Sequence, residues 1–380
     1  MSSMRVFLQN YAIQSNEEQS TNNRGSTMGM SDEEEAVYED LKNLKSLLKQ
    51  TGESKVVLIG DIMMDCYIHG YANNLNSRAP VPVLRETMRE EDVGAAAHVG
   101  RGLNSMGFQS YLFGVVGDDR AGLNILQSLD DEGVSTAGIS IIDGRTTTVK
   151  TRMLATRESL VSDEQLLLRW DVEDDNPVPL EASQSLYDNA IREVEKADVV
   201  ILSDYGQGVV NDVGADRVIK TARSKNVPII ADPKLTGLHR THGVNWILFQ
   251  SQGLELMRRR LGVSTGSEAA MQLIETHDWN HLVVLSGEAG VTIYSRDEEV
   301  VHAPCTLDDL RQMIGLIDAA AVAIAVAISK NMSVRNTALL ANAACECILG
   351  ADKTESFVLS REDLIDRIGE MSWNLQVSKR

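Results

Sequence analysis

Short β-branched runs alternate with longer amphipathic ones along most of this chain. Lys55–Gly60 (KVVLIG) reads as a buried strand. Similar runs recur at 111–117, 198–203, 228–231, 246–249 and 282–285, and residues 290–294 pair beyond the last of them. Helical patterns lie between them. One starts at Ser31, a capping residue followed by four acids, and stops at Gly52. Others follow Asp118-Asp119 and fill 180–196, 212–224 and the stretch holding Glu255 and Arg258–Arg260. Strand and helix in regular alternation predict a doubly wound, mostly parallel α/β sheet. Residues 93–107 (VGAAAHVGRGLNSMG) read as a loop feeding a closely packed helix. The proline-bearing 79–85 suits an edge or lid strand, and 146–156 and 165–171 alternate as strands.

Residues 311–330 (RQMIGLIDAAAVAIAVAISK) organise the rest. Gly315 precedes one carboxylate, Asp318, and then no charge appears until Lys330. Val322, Ile324, Val326 and Ile328 alternate with alanine, which is also a strand pattern. The length and the six alanines favour a helix buried on every side. Its N-terminus would present free N–H groups suited to a phosphate. Asp318 beside such an anion is placed to take a proton from an attacking hydroxyl.

With 380 residues, 43% of them apolar, the chain builds one large domain or two smaller ones. A net charge of −19 argues against nonspecific nucleic-acid or anionic-membrane binding. No apolar run reaches the length of a membrane span. Cys66, Cys305, Cys345 and Cys347 form no CxxC pair and read as reduced residues of a cytoplasmic protein. Residues 1–30 are rich in Ser, Asn, Gln and Gly and read as a disordered tail rather than a transit peptide.

Polar residues recur just after strand ends, where open α/β sheets place their ligands. Asp61 and Asp65 follow the first strand, and from spacing alone they serve equally well as a capped turn. Asp204 and Asp232-Pro233-Lys234 end later strands. Lys150, Arg152 and Arg169 provide either a site for an anionic substrate or an exposed charged sheet face. His98 alone reads as a core or cap residue. Neither GxxxxGK[ST] nor a strand-linked GxGxxG occurs, which excludes the common P-loop and dinucleotide signatures.

The order GDIMMDCY, SRAPVPV, VGAAAHVG, SDYGQG, ADPK and a terminal G-x-x-D resembles the PfkB, or ribokinase-like, carbohydrate kinases over about residues 55–350. Within that family the likeness is to heptose-7-phosphate kinase domains of the bacterial ADP-heptose pathway. The resemblance implies a ribokinase-like sandwich with a small β-sheet lid, about 67–90 and 146–172. The kinase domain would span 53–355, between the helix at 31–52 and a C-terminal helix or tail at 356–380. It implies phosphorylation of a sugar or sugar phosphate by ATP and Mg2+, in a homodimer paired through the lid. Asp318 falls on the family's base and Gly315 on the first glycine of its anion hole. Asp61, Asp65, Gly94, His98, Lys150, Arg152, Arg169, Asp204 and Lys234 fall at substrate positions. Asp232, Gln252, Glu255, Ser286, Gly287, Leu316 and Ile317 fall at nucleotide positions, with Glu255 at a magnesium motif.

The departures are specific. The family's GAGD is Gly315-Leu316-Ile317-Asp318, and GGAAN is Gly94-Ala95-Ala96-Ala97-His98. Gln312 replaces an aspartate and Gln207 a lysine. Two readings follow: a kinase with a modified anion hole, or a weak or inactive relative that keeps the fold to bind a sugar phosphate or a protein.

Overall fold

The computed structural model describes residues 31–50, 54–157, 160–351 and 357–377. The expected tail over 1–30, and the helix stop at Gly52, lie outside these residues. Helix α1 (Asp32–Leu48) begins with a capping box between Ser31 and Glu34. It is acidic in its first turn, which complements the helix dipole.

Nine strands form the larger sheet: β1 (Lys55–Gly60), β4 (Gln109–Gly117), β5 (Ile139–Ile142), β8 (Val199–Asp204), β9 (Ile229–Pro233), β10 (Trp246–Gln250), β11 (His281–Leu285), β12 (Val291–Ser295) and β13 (Val301–Ala303). Their order is β13-β12-β11-β10-β9-β8-β1-β4-β5, parallel except for the antiparallel pairings of β12 and β13. Order reverses on either side of β1, so loops after β1, β8 and β9 open into one crevice.

The strands are apolar on both faces because both are covered. Leu58 and Ile201 face one layer, built from α1, α2 (Ala96–Ser105), α3 (Arg120–Asp131), α8 (Leu316–Ser329), α9 (Val334–Gly350) and α10 (Arg361–Val377). Val57, Ile59, Val200 and Leu202 face the other, built from α4 (Leu180–Val194), α5 (Asp212–Ser224), α6 (Ser251–Leu261) and α7 (Gly266–His277). Each fully buried valine or isoleucine contributes about 1.5–3 kcal/mol.

The alanine-rich stretch is helical, as α8, and buried along nearly its whole length. It packs on α9, α2 and the ends of β8, β9 and β10. Gly102 permits the approach of α2, since a Cβ there would lie 2.9 Å from Val322 Cγ2. On its far side α9 carries Glu346, 1% exposed, paired with Arg367 of α10 at 2.8 Å. The same carboxylate accepts from Thr306 and Asn342, so it joins α9, α10 and the chain entering α8.

Four strands form the smaller sheet, in the order β3-β2-β6-β7: β2 (Ile62–Leu75), β3 (Pro82–Ala95), β6 (Thr148–Arg157) and β7 (Leu160–Val172). The segment 79–85 leads into the edge strand β3. The sheet starts earlier than expected, because β2 leaves β1 after a single residue. The segment 93–107 is no loop at its start: β3 runs to Ala95 and α2 follows at once. The stretch around Glu255 divides into two helices at Gly262, which is left-handed at φ 70°. Among the described residues, no helix is long and apolar enough to cross a membrane. The four cysteines are unbridged.

Candidate active site

Gly315 caps α8 at φ 89°, a left-handed conformation that favours glycine. Helical geometry begins at Leu316, so Asp318 sits in the first turn, 9% exposed. Leu316 and Ile317 do not both crowd the approach: Leu316 turns into the core and is 2% exposed, while Ile317 is half-buried against it. A helix N-terminus keeps its unpaired N–H groups and positive dipole end whatever those side chains are.

Two residues from other elements hold Asp318. Nδ1 of His98, in the first turn of α2, lies 3.1 Å from Oδ2. The Tyr205 hydroxyl donates to Oδ1 at 3.3 Å. Nε2 of His98 lies 3.0 Å from the backbone carbonyl of Phe357. Burial works against a charge on the imidazole, but its hydrogen bond to Asp318 and that charge outweigh it and hold the pKa above the ordinary value. His98 therefore meets the expected base itself.

Ala95, which precedes this helix, has φ 54° and ψ −131°. A side chain rarely adopts that backbone, and glycine stands there in the family pattern.

The loop after β8 is shaped by Asp61. Its carboxylate is 0% exposed and accepts backbone N–H bonds from Tyr205, Gln207 and Val209 at 2.8–3.0 Å. Burial raises its pKa, against those hydrogen bonds. Expected as a hydroxyl ligand, Asp61 instead spends both oxygens on the loop that carries Tyr205. Asp204 likewise turns away from a ligand role: it accepts from the Gly206 N–H and pairs with Arg240 at 3.0 Å. Lys234 is exposed and donates to the Tyr205 carbonyl at 3.3 Å. Asp232 is half-buried, and burial beside Asp318 and Asp204 raises its pKa well above the carboxylate range.

Opposite lies one face of the smaller sheet. Asp65 pairs in register with Lys150, Tyr67 with Arg152, Arg152 with Arg169, and Lys150 with Asp171. Strand alternation puts all six on one face. Arg152 binds Asp65 and stacks over Tyr67 at 5.2 Å, and Arg169 binds Asp171 at 2.7 Å. Lys150 lies over the Tyr205 ring at 5.6 Å. Burial and the neighbouring Arg169 lower its pKa. Gly94 backs Asp65, because a Cβ there would collide with its carboxylate.

Gly287, expected with Ser286 at nucleotide positions, has φ 55°, and Met313 from the chain entering α8 lies over it. Gln252 and Glu255 lie on α6. Glu255 is taken by Arg258 at 2.7 Å and Arg259 at 2.8 Å, and those bonds lower its pKa to about 2. Among the described residues no cluster of three or more His, Cys, Asp or Glu could hold a metal ion. Glu255, expected at a magnesium motif, is thus held by two arginines.

The site thus joins Asp318, His98, Tyr205, Asp232, Lys150, Asp65, Arg152 and Arg169. It leaves Asp61, Asp204 and Glu255 in structural contacts. Sequence reasoning missed Tyr205, although it follows a strand end, and Phe357, whose contribution is a backbone oxygen that no side-chain pattern reveals.

The profile of the "pfkB family carbohydrate kinase" matches residues 53–359. The bifunctional protein HldE of Hyphomonas neptunium is 30% identical over 324 residues, 84% of this chain and 65% of its own length. That of Geobacter sulfurreducens is 26% identical over 86% of this chain and 66% of its own length. The chain thus spans about two thirds of such relatives. Among solved structures, Arabidopsis thaliana ribokinase complexed with ribose and ATP superposes with a TM-score of 0.66 at 17% identity, covering 84% of this chain and 99% of that one. Escherichia coli phosphofructokinase-2 in complex with fructose-6-phosphate gives 0.65 at 13%, covering 84% and 100%. These likenesses show a ribokinase-like fold, and with the profile match across most of its length the chain belongs to the pfkB family of carbohydrate kinases.

Proposed function

We propose that this protein transfers the terminal phosphoryl group of ATP to a hydroxyl of a sugar phosphate, with Asp318 as general base. One arrangement carries the reading: a carboxylate in the first turn of a buried helix faces a basic strip on the second sheet. The substrate hydroxyl oxygen bonds to the γ-phosphorus, the bond to the β-phosphate oxygen breaks, and the hydroxyl proton passes to Asp318. ATP supplies the phosphoryl group. The Leu316, Ile317 and Asp318 N–H groups of α8 face the charge developing on it. Lys150, Arg152 and Arg169 hold the substrate's own phosphate by charge-assisted hydrogen bonds. Magnesium, in this reading, arrives on the phosphate oxygens, as that ion commonly does.

The identity to HldE proteins favours heptose 7-phosphate as the first substrate to try. The test is ADP release from MgATP across sugars and sugar phosphates with heptose 7-phosphate included. Turnover with a phosphorylated sugar supports the reading. Turnover confined to unphosphorylated sugars removes the role given to the basic strip.

One observation favours a second reading, a sugar-phosphate binder without turnover: both Asp318 oxygens are already engaged, by His98 and Tyr205. Ligand-induced stabilisation with no ADP release across the whole panel would select it. Pairing of two copies through the smaller sheet belongs to the same proposal. Leu166, Leu168 and Trp170 on its outer strand are exposed, and sedimentation velocity measures the assembly.

A further inference from the structure

His98 stands where the family pattern has an asparagine, and its surroundings ask for more than a substitute ligand. The ring touches three separate parts of the chain. Nδ1 meets Asp318 Oδ2 at 3.1 Å, and Nε2 meets the Phe357 carbonyl at 3.0 Å. Cε1 lies 3.6 Å from where a Cβ would stand on Gly315, the residue that caps α8. Both ring nitrogens thus face oxygen acceptors. A neutral imidazole has only one N–H and would leave a lone pair against one of the two oxygens. The arrangement is satisfied when the ring carries both protons. The other charges facing it are Asp92 of β3 and Arg101 of α2, which pair with each other. Tyr205 shares Asp318 from the opposite side.

We propose that His98 is a positioning residue for the base: as an imidazolium bridging Asp318 and the Phe357 carbonyl, it fixes the carboxylate against the Gly315 turn through Oδ2, while Oδ1 meets the Tyr205 hydroxyl on the side of the basic strip. While the ring is charged, the Asp318 side chain is held and aimed. Loss of a ring proton leaves the Nδ1–H on the carboxylate and puts an Nε2 lone pair against the Phe357 carbonyl, so the ring loses its second anchor and the carboxylate its fixed aim. The charge on the ring also ties the base to the backbone at Phe357. This inference rests on the kinase reading for its effect on rate, and on the ion pair alone for its effect on titration.

The two parts are tested separately. In the first, the seven histidines are followed by NMR between pH 5 and 9, and His98 is assigned by its loss in His98→Asn. The His98 midpoint should lie above the ordinary ~6.5 and fall by about a unit or more in Asp318→Asn, where the partner charge is gone. A midpoint at or below the ordinary value, or one unmoved by Asp318→Asn, overturns the proposal whether or not the protein is a kinase. In the second, kcat is measured against pH with the best sugar phosphate. Wild-type kcat should fall as pH rises through the His98 midpoint. In His98→Asn that alkaline limb should vanish and kcat at neutral pH should drop about tenfold with KM nearly unchanged, the scale of a misaimed catalytic group. An unchanged alkaline limb, or an equal loss in KM, overturns the positioning role. If no sugar supports turnover, the kinase reading falls and the titration still decides the ion pair.

Discussion

Lys150 of the smaller sheet lies over the ring of Tyr205, 5.6 Å from its centroid, and the hydroxyl of that same ring reaches Asp318 on the larger sheet's helix. One aromatic side chain therefore connects the basic strip to the expected base. Burial and the neighbouring Arg169, not the ring face, lower the Lys150 pKa.

Tyr205→Phe separates the two contacts. The ring stays beneath Lys150, while the bond to Asp318 is lost. Stability should drop by about 1 kcal/mol, the usual scale for one intramolecular hydrogen bond, and kcat should fall more than substrate affinity. Urea unfolding and steady-state kinetics measure both. Wild-type values in each would show that the hydroxyl leaves Asp318 undirected.

Asp318→Asn should abolish ATP-dependent phosphorylation and preserve the fold and ligand-induced stabilisation. The amide keeps the size of the side chain and removes its basicity. Calorimetry and ADP release decide the point. Turnover near wild type would reduce Asp318 to a charge at a helix terminus.

For Arg152→Ala, melting temperatures are compared with a sugar phosphate and with its unphosphorylated parent. The wild type should gain more from the phosphorylated ligand, by mass action on a tighter complex. The variant should lose that difference. It should also shift the unliganded melting point, because Asp65 loses its ion-pair partner. Equal ligand shifts in the wild type would remove the phosphate from the substrate.

Leu316→Ala tests whether the bulky anion-hole sequence obstructs the site. Because Leu316 is 2% exposed and packed in the core, the substitution should cost about 2–4 kcal/mol and leave turnover no higher. A rise in turnover with little loss in a urea midpoint would contradict the packing seen here. Ile317→Gly, with its half-buried side chain, should cost less.

Ala95→Gly should stabilise the protein by about 1 kcal/mol or more. Ala95 holds φ 54° and ψ −131°, a conformation that strains any residue with a Cβ by about 1–3 kcal/mol. The greater freedom of glycine in the unfolded chain offsets part of that gain. A lowered thermal midpoint would mean that the alanine methyl packs more favourably than its backbone is strained.

The sheet was legible because parallel strands covered on both faces read as continuous apolar runs, as in β1 and β8. The helix α8 was legible because its length and alanine content outweigh an alternating pattern. Strands β2 and β3 were harder: β2 follows β1 after one residue, and β3 carries charges on a face that meets the cleft. Asp61 and Asp65 look alike in sequence, yet one is fully buried under three N–H groups while the other meets Arg152. Their difference lies in which neighbour folds over them. Glu255 occupies a plausible motif position, but arginines three and four residues onward claim it. His98 departed from the pattern visibly, although its partners, 220 and 259 residues away, could be found only in the folded chain.

The ion pair of Glu346 with Arg367 makes the packing of α9 depend on residues that follow it in the chain. Synthesis delivers α8 and α9 first, with Glu346 already inside a helix destined for the core. A carboxylate buried without its partner costs several kcal/mol, so the packing of α9 is most stable once Arg367 is present. Phe357 arrives in the same last stretch and supplies the carbonyl beside His98. A nascent chain stalled before residue 357 therefore lacks both the Phe357 carbonyl beside His98 and the Arg367 partner of Glu346. Both contacts come from residues that follow every strand of the larger sheet.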